Sequence, residues 1–212
     1  MTHADKAKRY AQDVVAGEVP ACKWTVLACQ RFLDDLGREW EYKFKPSLAN
    51  RACKFIENLP HVKGKWAKSN ITLEPWQCFI VCNIFGWIHK ETGMRRFRKA
   101  SLYVARKNGK SLLAAAIGLF MLAADGEPGA EIYSGATTEK QSWEVFGPAH
   151  KMALWTPEFT SFYGIEVNAS NLAIIIDGAK FEPIIGNPGD GASPHCAIVD
   201  EYHEHKDTKQ YD

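Results

Sequence analysis

The stretch Leu102-Tyr-Val-Ala-Arg-Lys-Asn-Gly-Lys-Ser111 constrains this chain more than any other. Leu102 to Ala105 has the look of a short buried strand. Arg106, Lys107, Asn108, Gly109, Lys110 and Ser111 form a turn, and Leu112 to Ala124 is an apolar run of helix formers. Strand, Gly-Lys-Ser turn and buried helix together make the arrangement that grips nucleotide phosphates. Backbone N–H groups at the helix N-terminus point at the anion, the lysine reaches the β- and γ-phosphates, and the serine hydroxyl takes Mg²⁺. The usual pattern is G-x-x-x-x-G-K-[ST], and Val104 stands where its first glycine would be. Taken alone, the turn fits an ordinary polar helix start equally well.

A second motif changes that balance. Cys196 to Val199 is a short apolar run leading into Asp200-Glu201-Tyr202-His203, about 90 residues after Lys110. An acid at the carboxyl end of a strand can hold Mg²⁺, and its neighbour can align or deprotonate the water that attacks a γ-phosphate. Asp200 and Glu201 suit those two roles, although paired acids after a strand are also common turn residues.

The remaining chain is a sequence of globular type. Hydrophobic residues make up 46% and charged residues 24% of 212, with a net charge of +1, which argues against a histone-like partner. Lys90, Arg95, Arg96, Arg98 and Lys99 form a local basic cluster opposed only by Glu91, either a solvated turn or a nucleic-acid contact. Six cysteines (Cys22, Cys29, Cys53, Cys78, Cys82 and Cys196) show no C-x-x-C pair, so reduced cytosolic thiols are expected. The polar N-terminus carries no signal peptide, and no apolar run reaches the roughly 18 residues of a membrane helix.

In chain order, residues 1–20 suggest a polar helix with little apolar face, and Trp24 to Leu36 and Pro46 to Leu59 two amphipathic helices. Residues 1–70 form a helical appendage in this reading, and 71–212 the nucleotide-binding core. Trp76 to His89 is expected to be one long apolar helix opened by Pro75. A glutamine in its first turn, Gln77, can read an adenine edge or be a surface residue. Ala130 to Gly135 is expected as a strand and Thr138 to Met152 as a helix. Pro157 to Tyr163 is a short helix, and Asn171 to Ile176 with Lys180 to Ile185 a hairpin about Asp177-Gly178-Ala179. Gly186 to Pro194 is a loop. Alternation of strands and helices implies a mostly parallel sheet flanked by helices, an α/β fold.

Four segments resemble the ATPase half of tailed-bacteriophage terminase large subunits. They are Leu73-Glu-Pro-Trp-Gln77, Ala105-Arg-Lys-Asn-Gly-Lys-Ser111, Ser134-Gly-Ala-Thr-Thr-Glu-Lys-Gln141, and the stretch from Asp190 through Asp200-Glu201 to His205. That family tolerates a phosphate loop without its first glycine. The resemblance implies a P-loop NTPase of the ASCE type that binds ATP and Mg²⁺ and drives double-stranded DNA into a procapsid. By the same resemblance, Gln77 and Trp76 would hold the adenine, and Lys107, Asn108, Gly109, Lys110 and Ser111 the phosphates. Ser111 and Asp200 would hold the metal, Glu201 would be catalytic, and Arg106 a phosphate sensor or charge stabiliser, if not a solvated loop arginine. Implied partners are DNA, a portal protein, a small terminase subunit and further copies in a ring, in the host cytoplasm without a membrane. Family members continue into a coupling motif and a nuclease domain of RNase H type. This sequence stops at Asp212, so the expectation is of an ATPase portion without nuclease activity.

Three other readings remain open. Asp200-Glu201-Tyr202-His203 also fits a DExH helicase, although no Pro-Thr-Arg segment accompanies it. A non-hydrolysing interaction module could retain the fold. His195, Cys196, His203 and His205 are zinc-ligand types, but they straddle a buried strand and cannot easily converge. Cys78 and Cys82 share a helical face without two further ligands.

Overall fold

A computed structural model of the chain describes residues 1–136, 138–185 and 194–201. The chain divides into two compact units, one of Met1–Asn58 with Thr72–Tyr103, the other of Leu59–Ile71 with the chain from Val104 onward.

The first unit is mainly helical: α1 (His3–Val15), α2 (Lys23–Leu36), α3 (Pro46–Glu57) and α4 (Pro75–Gly86), with a two-stranded ribbon of β1 (Tyr42–Phe44) and β2 (Trp87–His89). Thr2 and Asp5 form a capping box at the start of α1. The expectation that α1 lacks an apolar face is corrected by Ala4, Ala7, Ala11 and Val14, all buried. Alanines at this spacing line one side of the helix, and their small size lets neighbouring helices approach closely.

The long helix expected to reach His89 stops at Gly86. Trp87 turns extended, and Trp87–His89 pairs antiparallel with Tyr42–Phe44. The Gly86 carbonyl accepts the Lys45 N–H at 2.7 Å, which joins the end of the helix to the ribbon, and the ring of Phe44 occupies the space a Cβ on Gly86 would need. The basic cluster also loses a member to the interior. The Arg96 guanidinium donates to Asp35 at 2.7 Å and lies 4.3 Å from the Trp40 ring and 4.5 Å from that of Phe97. With the Asp35 side chain 7% exposed, Arg96 is a desolvated, paired charge stacked on aromatic faces rather than a solvated or DNA-facing one. Cys53, Cys78 and Cys82 are buried as free thiols between α3 and α4, with the Cys53 and Cys82 sulfurs 3.8 Å apart.

The second unit contains α5 (Lys110–Ala123), β3 (Glu131–Ala136), α6 (Glu139–Trp155), α7 (Pro157–Tyr163), β4 (Ile165–Val167), β5 (Leu172–Ile174), β6 (Ala179–Ile185) and β7 (Cys196–Val199). Its sheet has the order β4-β5-β6-β3-β7. The three strands β6, β3 and β7 run parallel, and β4 and β5 extend the sheet antiparallel on one side. The Asp177-Gly178 hairpin forms as expected, with Gly178 at φ 77°.

No strand forms over Leu102–Ala105. That segment is irregular, with Tyr103 91% exposed, and the boundary between the two units falls within it. Four apolar residues suggested burial, but alternate ones face solvent. Asp200 and Glu201 instead reach the Gly109-Lys110-Ser111 turn from the end of β7, which pairs directly with β3.

α5 packs on the sheet face that carries Ile132, Phe181 and Ile198. A Cβ at Gly118 would stand 2.6 Å from a ring carbon of Phe181 and 3.2 Å from Cδ1 of Ile198. Phe181 cannot swing aside, because it is fully buried against Phe146 with ring centroids 5.4 Å apart. Gly118→Ala is therefore expected to lower the unfolding free energy by about 1–3 kcal/mol through overpacking, read by urea denaturation. A variant as stable as the parent would show that the helix can lift away without cost.

Candidate functional site

The loop ahead of α5 owes its shape to alternating backbone handedness. Lys107 has φ 68° and Gly109 φ 74°, the second as N-cap of α5 without a side-chain cap. Left-handed residues set among right-handed ones turn successive N–H groups inward, a concavity that suits an anion. Asn108 closes the loop by donating its amide to the carbonyls of Ala105 at 3.0 Å and Arg106 at 3.4 Å. The first turn of α5 thus leaves backbone donors that no side chain caps, at the positive end of a 14-residue helix.

Asp200 and Glu201 meet this corner. Lys110 Nζ donates to Glu201 Oε1 at 2.7 Å and lies 2.9 Å from Asp200 Oδ1, while the Ser111 hydroxyl donates to Asp200 Oδ2 at 3.2 Å. Asp200 Oδ1 also accepts the Glu201 backbone N–H at 2.9 Å. Glu201 itself has φ 48°, a left-handed conformation that costs a non-glycine residue about 1 kcal/mol or more and recurs at functional positions. Burial acts to lower the Lys110 pKa, but its hydrogen bonds to Glu201 and Asp200 and their negative charges outweigh it and the net shift is upward. Lys110 is therefore a fixed cation at neutral pH.

A hydroxyl and a carboxylate on neighbouring elements are hard oxygen donors of the kind Mg²⁺ takes, leaving further positions to phosphate and water. The residues thus fit a magnesium–triphosphate. Among the described residues no group of three or more His, Cys, Asp or Glu is placed to hold a metal ion. The zinc reading finds no support at His195, whose ring is engaged by Asp125; His203 and His205 lie outside the described residues.

The other expected site residues are distributed as follows. Arg106, Lys107 and Asn108 are exposed on the loop. Trp76 and Gln77 lie half-buried in the first turn of α4, in the first unit, where the Gln77 amide oxygen accepts the Glu74 backbone N–H at 2.9 Å. In the third motif, Ser134 on β3 donates to the Ser142 carbonyl of α6 at 2.8 Å, and Thr138 caps α6 through the Gln141 N–H. Gly135 pairs with Val199, so α6 starts at the same sheet end as the acids. Thr137, Gly186 to Ala192 and Ser193, and Tyr202 onward lie outside the described residues. Sequence reasoning missed the pairing of His195 with Asp125, which are 70 residues apart and carry no local signal.

The family model for the terminase large subunit ATPase domain matches residues 75–212, more than half of the chain. The crystal structure of the bacteriophage HK97 large terminase is similar over 71% of this chain, with 26% sequence identity and a TM-score of 0.57. The match covers 30% of that chain, so the present sequence corresponds to under a third of its length. No curated protein matches the sequence. The helix-flanked sheet, with its phosphate loop facing two acids, is accordingly that of a P-loop NTPase, and the chain belongs to the terminase large subunit ATPase-domain family.

Proposed function

We propose that this chain is the ATPase motor portion of a viral DNA-packaging machine, hydrolysing ATP to drive double-stranded DNA into a procapsid. The observation that carries the reading is the convergence of Lys110 and Ser111 with Asp200 and Glu201 at one end of the sheet.

In this reading the uncapped N–H groups of α5 and the Lys110 ammonium take the β- and γ-phosphates. Bound magnesium would be held by Ser111 and Asp200 and would neutralise charge on the phosphate oxygens. Glu201 accepts a proton from the attacking water, and Arg106 is placed on the loop to answer charge on the phosphates. Lys110 must exchange at least one carboxylate for phosphate, which couples nucleotide binding to release of Glu201. Gln77 and Trp76 serve as the adenine contacts, for which Gln77 has to exchange its bond to the Glu74 N–H. A functional boundary near residue 70 belongs to this reading and is supported by the start of the family match at residue 75.

DNA, a portal protein, a small terminase subunit and a ring of further copies are the partners, in the host cytoplasm. No helix among the described residues is long and apolar enough to cross a membrane. A packaging motor moves along duplex DNA without separating it, whereas a DExH helicase opens it. Full-length protein is expected to displace a triplex-forming strand from duplex DNA in an ATP-dependent manner, and to leave a forked duplex paired. Strand separation without translocation would favour the helicase, and nucleotide binding without turnover the interaction module.

A further inference from the structure

α5 carries Lys110 and Ser111, and β7 runs into Asp200 and Glu201. The alignment of these two elements therefore sets the spacing of all four side chains. Along its middle α5 is held by apolar packing, with Leu113, Leu119, Phe120, Met121 and Leu122 buried and Gly118 seated against Phe181 and Ile198, contacts that lack the directionality of a hydrogen bond.

A directional contact stands at the far end. Asp125, just beyond α5, meets Nε2 of His195, just before β7, at 2.7 Å, with side chains 9% and 17% exposed. The His195 backbone N–H also donates to the Glu131 carbonyl at 2.9 Å, which anchors it to β3. α5 is about 20 Å long at 1.5 Å per residue, so this pair is too distant to touch phosphate.

We infer that Asp125 and His195 are a positioning pair: they hold α5 in axial register with β7 and thereby fix the spacing between Lys110 and Glu201. The inference rests on the nucleotide reading given above. A hydrogen bond of this length tolerates little displacement, and misplacement of reacting groups by about 1 Å can cost about a hundredfold in rate.

The test is steady-state Mg-ATP hydrolysis by full-chain variants, with binding of a fluorescent ATP analogue and circular dichroism alongside. Asp125→Ala and His195→Ala are expected to lower kcat about tenfold or more, with nucleotide affinity within about twofold of the parent. Asp125→Glu keeps the charge and the hydrogen bond but lengthens the arm by one methylene. It should fold normally and still lose kcat, whereas Asp125→Asn, of unchanged length, should retain most of it. Parental kcat in Asp125→Glu would overturn the inference even if the alanine variants fail to fold, and so would equal losses of kcat and affinity. Absence of hydrolysis in the parent would remove the ATPase reading, and the inference with it. Hydrolysis in the parent that is matched by all four variants would remove the inference alone.

Discussion

Lys110→Ala should abolish measurable nucleotide binding. Lys110 is the cation that the described residues bring against Asp200 and Glu201, at 2.9 and 2.7 Å. Its removal takes away a charge-assisted bond to phosphate, a contribution of about 1.5–3 kcal/mol. It also leaves two carboxylates facing a polyanion. Two like charges about 5 Å apart repel by about 3 kcal/mol at an effective dielectric constant near 20. Either effect alone weakens binding about tenfold to a hundredfold, and together they put the dissociation constant beyond most assays. Fold stability should change far less, because the Lys110 side chain is 30% exposed and such pairs contribute about 0–1 kcal/mol. Isothermal titration with Mg-ATP, beside a thermal melt, separates the two. Parental affinity in Lys110→Ala would mean that the loop is not a phosphate site.

Features fixed by local chemistry were the ones legible in the sequence. Pro46 and Pro75 mark helix starts, Asp177-Gly178 marks a hairpin, and Gly109 supplies the left-handed residue that the loop requires. The acids at Asp200 and Glu201 stood out only in combination with Gly109-Lys110-Ser111, because paired acids after a strand are also common turn residues. Features decided by distant partners were not. The end of α4 at Gly86 goes with the pairing of Trp87–His89 to Tyr42–Phe44, and the burial of Arg96 with Asp35, 61 residues away. Leu102–Ala105 shows the converse limit: a four-residue apolar run carries the composition of a strand, but pairing needs a neighbour with free edge groups. Lys107 in a left-handed conformation was equally invisible, since neither lysine nor its neighbours favour it.

Glu201→Gln should separate binding from chemistry. The two side chains have the same shape, so the strained backbone at φ 48° and the N–H bond to Asp200 are unaffected by the exchange. What disappears is one negative charge and the ability to accept a proton at neutral pH. Glutamine still offers Lys110 an amide oxygen, but a neutral acceptor competes less well than a carboxylate. Lys110 is then freer to turn to phosphate, and one source of repulsion toward the triphosphate has gone. Affinity for Mg-ATP is therefore expected to match the parent or exceed it. Turnover should fall about 10²–10⁴-fold, the usual contribution of a general base. Single-turnover hydrolysis measured with enzyme in excess removes product release from the comparison. Asp200→Asn provides the contrast: it alters the acceptor of the Ser111 hydroxyl and should weaken binding of the magnesium complex while leaving Glu201 in place. Hydrolysis by Glu201→Gln within about tenfold of the parent would assign proton transfer to another group, and the left-handed turn at the end of β7 would then serve only to hold Lys110.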